Sequence, residues 1–393
     1  MTEIYRFISE HKNDDLSKLA FSFAKNKEIN LPFVLQQISG YQKIKKKIPF
    51  WYEIENLRFP LKLSLEQCSS EITAKYKREI LIGDSLLDLT GGFGIDCAFL
   101  STTFSKVDYV EVQPELCEIA KHNFEQLCLS NIQVYNEDAV EFLQKCASYD
   151  CIYLDPARRS DKGQKLVFLS DCQPNVLEIL ELLLLKSKEI LIKLSPIIDL
   201  SVLKKSFSSK LSEIHVVAVD NECKEVLVRI TSKDSTELKI KTVNIDEKRQ
   251  LRQIFQFSET EKEESVATFA SDIGRYLYEP NVAILKSGAF QLISEKFDVK
   301  KLHIHTHLYT SDKLQADFPG RIFEVEKSFL FSKNELKENL KDVTKANISV
   351  RNFPETPESL HKRLKIKDGG EVYIFACTAM EKKMLIKTKK IVL

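Results

Sequence analysis

At 393 residues the chain exceeds one ordinary hydrophobic core and points to two to four domains, with 43% apolar residues to fill them. Lys and Arg number 58 against 57 Asp and Glu, a net charge of +1, so composition does not mark a nucleic-acid binder and local clusters must carry that argument. The nine cysteines are scattered, odd in number and without a CxxC pair, which speaks against a disulfide framework or zinc knuckle and for reduced thiols in a cytoplasm.

Residues 1–75 read as an N-terminal helical domain: Ile4, Phe7 and Ile8, then Leu16, Leu19, Ala20 and Phe23, recur at helical spacing. It ends in a basic run, Lys43, Lys45, Lys46 and Lys47, followed by Pro49-Phe50-Trp51-Tyr52. From position 81, short apolar runs (86–89, 107–112, 132–135, 151–154 and 190–194) alternate with amphipathic stretches. That rhythm predicts βαβ units and a parallel sheet covered on both faces. The greasiest stretch, 177–185, is interrupted by Glu178 and Glu181 and is far too short to span a bilayer. The first residues are polar and amphipathic, so a soluble, unexported protein with no membrane association is expected. Runs at 214–219 and 225–230, joined by Asp220-Asn221-Glu222-Cys223-Lys224, predict a hairpin. A polar stretch at 232–237 reads as a linker, and Glu259, Glu261, Glu263 and Glu264 read as a solvated loop. The remainder mixes strand and helix signals as two small α+β units.

The sharpest motif is Leu86-Leu87-Asp88-Leu89-Thr90-Gly91-Gly92-Phe93-Gly94, a buried strand running into a glycine-rich turn and then a helix. Glycines there let backbone amides approach a ligand, and the helix N-terminus faces its carboxylate. A dinucleotide would want a third glycine where Cys97 stands and has little use for an acid at Asp88. An acid beside a cationic methionine moiety is the better electrostatic match, which favours S-adenosylmethionine (SAM) over NAD. Twenty-three positions after Asp88 the next strand ends at Glu111, where a carboxylate can accept both ribose hydroxyls. The third strand leads to Asp138 and Ala139, placed to meet adenine, although Asp138 serves equally as the cap of the next helix.

The fourth strand ends in Asp155-Pro156-Ala157-Arg158-Arg159. Base-amine methyltransferases carry Asp-Pro-Pro-aromatic at this edge, the carboxylate and a proline carbonyl gripping the amine hydrogens. Here Ala157 and Arg158 replace the second proline and the aromatic, and a guanidinium can stack on a base or hold a phosphate. Asp155, Pro156 and Arg158 are therefore the catalytic candidates, with Arg158 and Arg159 binding substrate. Covalent carbon-5 methylation needs a cysteine after the next strand, and Lys193-Leu194-Ser195-Pro196 supplies none.

Upstream, Thr73 or Lys77 could bind the methionine carboxylate, although a helix capped at Ser69 or Ser70 accounts for the same residues. His303, His305 and His307 alternate as on one strand face, but lack acid or cysteine partners at ligand spacing, so no metal is expected. From His361 onward nine Lys/Arg stand against three acids, a basic surface suited to RNA phosphates.

The chain resembles bacterial class I SAM-dependent methyltransferases with a ferredoxin-like insert and a THUMP-like C-terminal domain. The resemblance rests on Glu66-Gln67-Cys68-Ser69-Ser70-Glu71, the 88–94 turn, the 155–159 loop, Glu279-Pro280-Asn281, Ile284-Leu285-Lys286, Thr306-His307-Leu308-Tyr309-Thr310-Ser311 and Arg351-Asn352-Phe353-Pro354. It implies an α/β protein with a Rossmann-like seven-stranded core at 76–232, a ferredoxin-like α+β domain at 233–325 and a THUMP-like domain at 326–393. THUMP domains present structured RNA to catalytic domains, so it also implies transfer of a methyl group from SAM to a base of tRNA or rRNA. Methylation of a protein or small molecule, and a catalytically inactive RNA-binding protein that keeps the SAM fold, stand as alternatives.

Overall fold

The computed structural model describes residues 3–24, 30–60, 62–158 and 169–392. The chain packs as two units, one of residues 1–212 with 226–236, the other of 213–225 with 237–393.

In the first unit, helices Glu3–His11, Leu16–Phe23 and Leu31–Lys47 form as the apolar spacing demands, burying Ile8, Leu19, Val34, Ile38 and Ile44. Asp15 caps the second helix by accepting from the Lys18 amide at 2.9 Å. The short helix Pro49–Tyr52 carries Trp51, whose ring packs edge-on against Phe93 of the glycine turn, centroids 5.5 Å apart. Asn123 holds the chain after these helices, accepting from the Arg58 amide (2.8 Å) and donating to the Arg58 carbonyl (2.9 Å). The helical segment is thus built onto the sheet that follows.

That sheet comprises β1 (Ser85–Asp88), β2 (Lys106–Glu111), β3 (Ile132–Asn136), β4 (Tyr149–Leu154), β7 (Ser187–Leu194) and the later part of β9 (Glu222–Thr231), in the order β9-β7-β4-β1-β2-β3. The two-residue strands β5 (Ala157–Arg158) and β6 (Cys172–Gln173) pair separately. All neighbours among β1, β2, β3, β4 and β7 are parallel. Strand β8 (Leu211–Val219) and strand β9 (Glu222–Thr231) form the hairpin expected there, and β9 enters antiparallel to β7, Leu194 facing Val226. These seven strands make the Rossmann-like core. Because β1 leads to β2 and β3 on one side while β4 and β7 lie on the other, the chain reverses direction beside β1, where open α/β sheets bind their ligands.

In the second unit β8 pairs in parallel with β10 (Lys239–Asp246), which pairs antiparallel with β11 (Leu251–Ser258). Residues Glu259–Glu264, read from sequence as a loop, form a helix because Ser258 and Glu261 make a reciprocal capping box. Strands β12 (Tyr276–Pro280), β13 (Lys300–His303), β14 (Thr306–Ser311), β15 (Gly320–Leu330), β16 (Asn347–Arg351), β17 (Val372–Ala379) and β18 (Lys382–Ile391) form a sheet ordered β13-β14-β12-β15-β18-β17-β16. Met380 N donates to Leu302 O (3.0 Å) and Thr306 Oγ1 to Thr378 O (2.6 Å), joining its two sides so that it curls around Leu277, Leu308, Phe323, Phe375 and Ile386. Ile304 and His305 are the turn between β13 and β14, so the three histidines do not share one strand face as their alternation suggested. Among the described residues no group of three His, Cys, Asp or Glu could hold a metal, and no helix is long and apolar enough to cross a membrane.

Candidate active site at the carboxyl edge of the parallel sheet

The parallel registers Asp88 with Tyr109, Asp88 with Tyr153, and Glu111 with Asn136 bring the ends of β1, β2, β3 and β4 to one edge. Asp88, Thr90, Gly91, Gly92, Gly94, Glu111, Asp138, Ala139, Asp155 and Pro156 all lie there. Strand β5 ends at Arg158, whose side chain, like all of Arg159, lies outside the described residues.

The turn after β1 is built by its glycines. Gly92 and Gly94 sit at φ +56° and +84°, left-handed backbone that other residues adopt only with strain, and Gly94 begins helix Ile95–Leu100. Gly91 answers to a different demand: a Cβ there would lie 2.1 Å from the ring of Tyr109. The Tyr109 hydroxyl donates to the Gly92 carbonyl at 2.5 Å, so ring and turn are fixed together. The Gly92 amide donates to Glu111 Oε2 (2.9 Å) and the Gln113 amide to Glu111 Oε1 (2.9 Å), which aims the carboxylate and leaves each oxygen a further lone pair.

Asp88 is 1% exposed and accepts only from the Thr90 amide, at 3.2 Å, among the described residues. Burial, with the nearby charges of Asp96, Asp155 and Glu111, pushes its carboxyl well above the usual range despite that bond. The edge therefore carries negative potential that a cationic ligand would relieve.

Asp138 accepts from the amides of Val140 (2.8 Å) and Glu141 (3.2 Å) and so is the N-cap of helix Ala139–Lys145, as its alternative reading had it. Ala139 is the first residue of that helix, where backbone amides have no partner within the helix.

The Asp-Pro loop is tied to the glycine turn, the Asp155 amide donating to Thr90 Oγ1 at 2.6 Å. Pro156 is buried. The Asp155 carboxylate pairs with the ammonium of Lys193 from β7. Sequence reading passed over Lys193, registering only that no cysteine follows the strand. The available signal was a lone lysine in an apolar run at a strand's carboxyl end.

A second polar cluster lies beneath the turn. Lys77, fully buried, pairs with Asp96 at 3.3 Å and donates to Ser69 Oγ at 3.2 Å. Ser69 and Tyr153 hydroxyls each donate to Asp96 Oδ2 at 2.7 Å. Burial would raise the Asp96 carboxyl, but Lys77, Lys193 and the two hydroxyls outweigh it and hold it below the usual range. Lys77 is thus a buried cation paired with Asp96, and Thr73 is a buried residue of the helix that Ser70 caps.

Residues 59–160 match the family model of Protein-L-isoaspartate(D-aspartate) O-methyltransferase, 276–319 that of a ferredoxin-like domain and 320–390 that of a THUMP domain-like module. A crystal structure of a Porphyromonas gingivalis W83 protein, provisionally named a methyltransferase, is 33% identical and superposes with a TM-score of 0.89 over 99% of this chain and 98% of that chain. An rRNA methylase from Streptococcus thermophilus (16% identity, TM-score 0.30, 41% of this chain and 93% of that chain) is too distant to carry an argument. The same holds for a provisionally named Streptococcus mutans methyltransferase in complex with SAH (16%, TM-score 0.31, 41% and 96%). No protein of curated function matches the sequence significantly. From its relationship to the Porphyromonas gingivalis protein along nearly the whole chain, and from the three modules matched in order, the protein belongs to the bacterial class I methyltransferases that carry ferredoxin-like and THUMP-like C-terminal domains.

Proposed function

We propose that the protein uses SAM to methylate a base of structured RNA, tRNA or rRNA, by a non-covalent mechanism at the Asp155-Pro156 loop, and acts in the cytoplasm. The observation that carries this reading is the convergence of a buried Asp88, a glycine turn, Glu111 and the Asp155 loop at one carboxyl edge. The donor set suits the cofactor. Glu111 keeps lone pairs for two ribose hydroxyls, Asp88 offers a negative wall to a cation, the turn of Gly91, Gly92 and Gly94 lets a ligand lie close to the backbone while its amides donate to Val110 O, Glu111 and Gly91 O, and Asp138 and Ala139 border the adenine end.

When bound, SAM supplies an electrophilic methyl group on a sulfonium centre. The chain's own residues then orient the acceptor. Asp155 accepts a hydrogen bond from the N–H of the nucleophile, the Pro156 carbonyl takes a second, and Thr90 fixes the loop through the Asp155 amide. Lys193 offsets the charge of Asp155 until substrate arrives. Arg158 and Arg159 hold base or phosphate. Within the four-part division at 75, 232 and 325, the THUMP-like module and its ferredoxin-like neighbour present the RNA.

The matched isoaspartate methyltransferase model favours a second reading, in which the acceptor is a protein carboxylate. Incubation with methyl-labelled SAM, total RNA and cell protein separates the two. Label in one modified nucleoside, abolished by Asp155→Ala, is the expected result. Label confined to protein or metabolites overturns the RNA reading, and no heat on titration with SAM points instead to an inactive RNA-binding protein.

A further inference from the structure

Of the five lysines on the basic C-terminal strand that composition singles out, Lys387 and Lys389 of β18 share one carboxylate, Glu326, each at 3.0 Å. A denser group of cations lies elsewhere in the second unit. A groove of about 1000 Å³ runs between helix Lys333–Leu340 and the chain leaving helix Pro357–Leu364, lined by Lys333, Lys337, Lys341, Lys345, Lys365 and Lys367, with Arg363 beside them. All seven are exposed, and no carboxylate lines the groove. Among the described residues only Arg363 has an acid partner, Glu355, while none of the six lysines forms an ion pair.

The arrangement follows from helical geometry. Lys333, Lys337 and Lys341 recur every four residues and share one face, whereas Glu335 falls on the opposite face. Lys345 and Lys367 are held across from one another by a parallel backbone bridge, and Lys365 projects from a left-handed residue, φ +55°, that ends the second helix. Beneath them Leu340, Leu360 and Ile366 belong to one buried cluster, so the cations stand on a packed floor. The other lining side chains are aliphatic except Thr344: no aromatic ring is offered for base stacking and no amide for base edges.

We infer that this groove seats the phosphate backbone of a structured RNA and reads charge and helical shape rather than sequence. The inference rests on the RNA reading of the active site for its choice of polyanion. Phosphates neutralised by unpaired lysines release counterions, so affinity depends on salt in proportion to the number of lysines engaged.

The test measures binding of a fluorescent hairpin RNA to the full chain across salt concentrations. K333Q/K337Q/K341Q is expected to weaken binding about tenfold or more at low salt and to reduce the slope of log Kd against log salt by about 2–3. Conversion of the same three positions to Arg should restore both, which separates charge from folding. K387Q/K389Q, which removes paired lysines, should change neither. Unchanged affinity and slope in the Gln triple variant overturn the inference, as does tighter binding of wild type to phosphatidylglycerol vesicles than to RNA. Because binding is read without methyl transfer, failure to methylate RNA would defeat the active-site reading and leave the groove assignment standing.

Discussion

Replacement of Gly91 by Ala should damage the candidate site more than replacement of its left-handed neighbour Gly92, although positive φ is the usual reason for a glycine in such a turn. A Cβ at Gly92 meets nothing nearer than the Thr90 carbonyl at 3.9 Å, so Gly92→Ala costs only left-handed strain, roughly 1–2 kcal/mol. At Gly91 the added carbon lies 2.1, 2.4 and 2.5 Å from three atoms of the Tyr109 ring, which is fully buried and cannot swing into solvent. Overpacking of this kind costs about 1–3 kcal/mol. Displacing the ring also withdraws the hydroxyl from the Gly92 carbonyl, which adds about 1–3 kcal/mol if that acceptor stays unsatisfied. The sum is roughly 2–6 kcal/mol, part of which moves the amide that aims Glu111. Urea unfolding of both variants gives the stability difference, and calorimetric titration with SAM gives the effect on binding. Gly91→Ala/Tyr109→Ala should recover part of the steric loss, because space replaces the clash. If Gly91→Ala unfolds within about 0.5 kcal/mol of wild type and binds SAM unchanged, the account of the turn is wrong.

Titration of Asp88 gives a second expectation. Its carboxyl lies above the usual range in the free protein, so a bound cation should lower it and release a proton. Affinity for SAM should rise as pH rises through that value, and heats measured in buffers of different ionisation enthalpy should diverge, a divergence that Asp88→Asn removes. The sign for stability is opposite: a folded-state value above the unfolded one means that this contribution is present at low pH and lost as pH rises through the folded value. Lys193→Met should leave SAM binding unchanged while lowering methyl transfer about tenfold or more, since the lysine meets Asp155 rather than the glycine turn; a change confined to SAM affinity would contradict that placement. Asp96→Asn leaves the fully buried Lys77 ammonium without its counter-charge and should cost about 3–5 kcal/mol in unfolding experiments. Because the Asp96 carboxyl is held below its usual 3.8, wild type gains this stability above that pH and loses it on acidification through the lower folded value, and the variant should show a flatter acid limb.

The sheet was legible because most of its strands are apolar runs ending in an acid or a turn, and the segments from 85 to 194 appear where those runs stand. Asp88, Glu111 and Asp155 could be placed because each ends such a run. What escaped was the partner of each acid. Lys193 follows Asp155 by 38 positions and Lys77 precedes Asp96 by 19, and no local rule connects residues that meet only through the order of strands or the packing of two helices. The opposite error occurred at Ser258 and Glu261: the capping box was visible in the sequence, yet four acids in a short stretch suggested a loop. The three histidines were misjudged because alternation alone cannot distinguish one strand from two joined at a turn.

The C-terminal segments singled out by resemblance acquire a physical reason once the second sheet is seen to curl. Glu279, next to last in β12, has its carboxylate buried, and both of its oxygens are taken by guanidinium groups, Arg321 from the neighbouring β15 and Arg351 from β16 at the far edge of the sheet. Asn352, next in the chain, accepts from Thr378 Oγ1 through its carbonyl and donates to Thr306 Oγ1 at 3.4 Å. The motif residues at 279, 306 and 351–352 therefore meet where the sheet closes. Burial, with Lys301, His305 and Arg351 nearby, pushes His307 down to about 4, so its neutral ring packs flat on Phe290, centroids 3.6 Å apart. A buried carboxylate shared by two half-exposed arginines is costly to desolvate and returns little net stability, but it is satisfied in only one register of β12 against β15 and one approach of β16. Its physical role is to specify that closure, and the unpaired lysines that could engage a polyanion lie outside it.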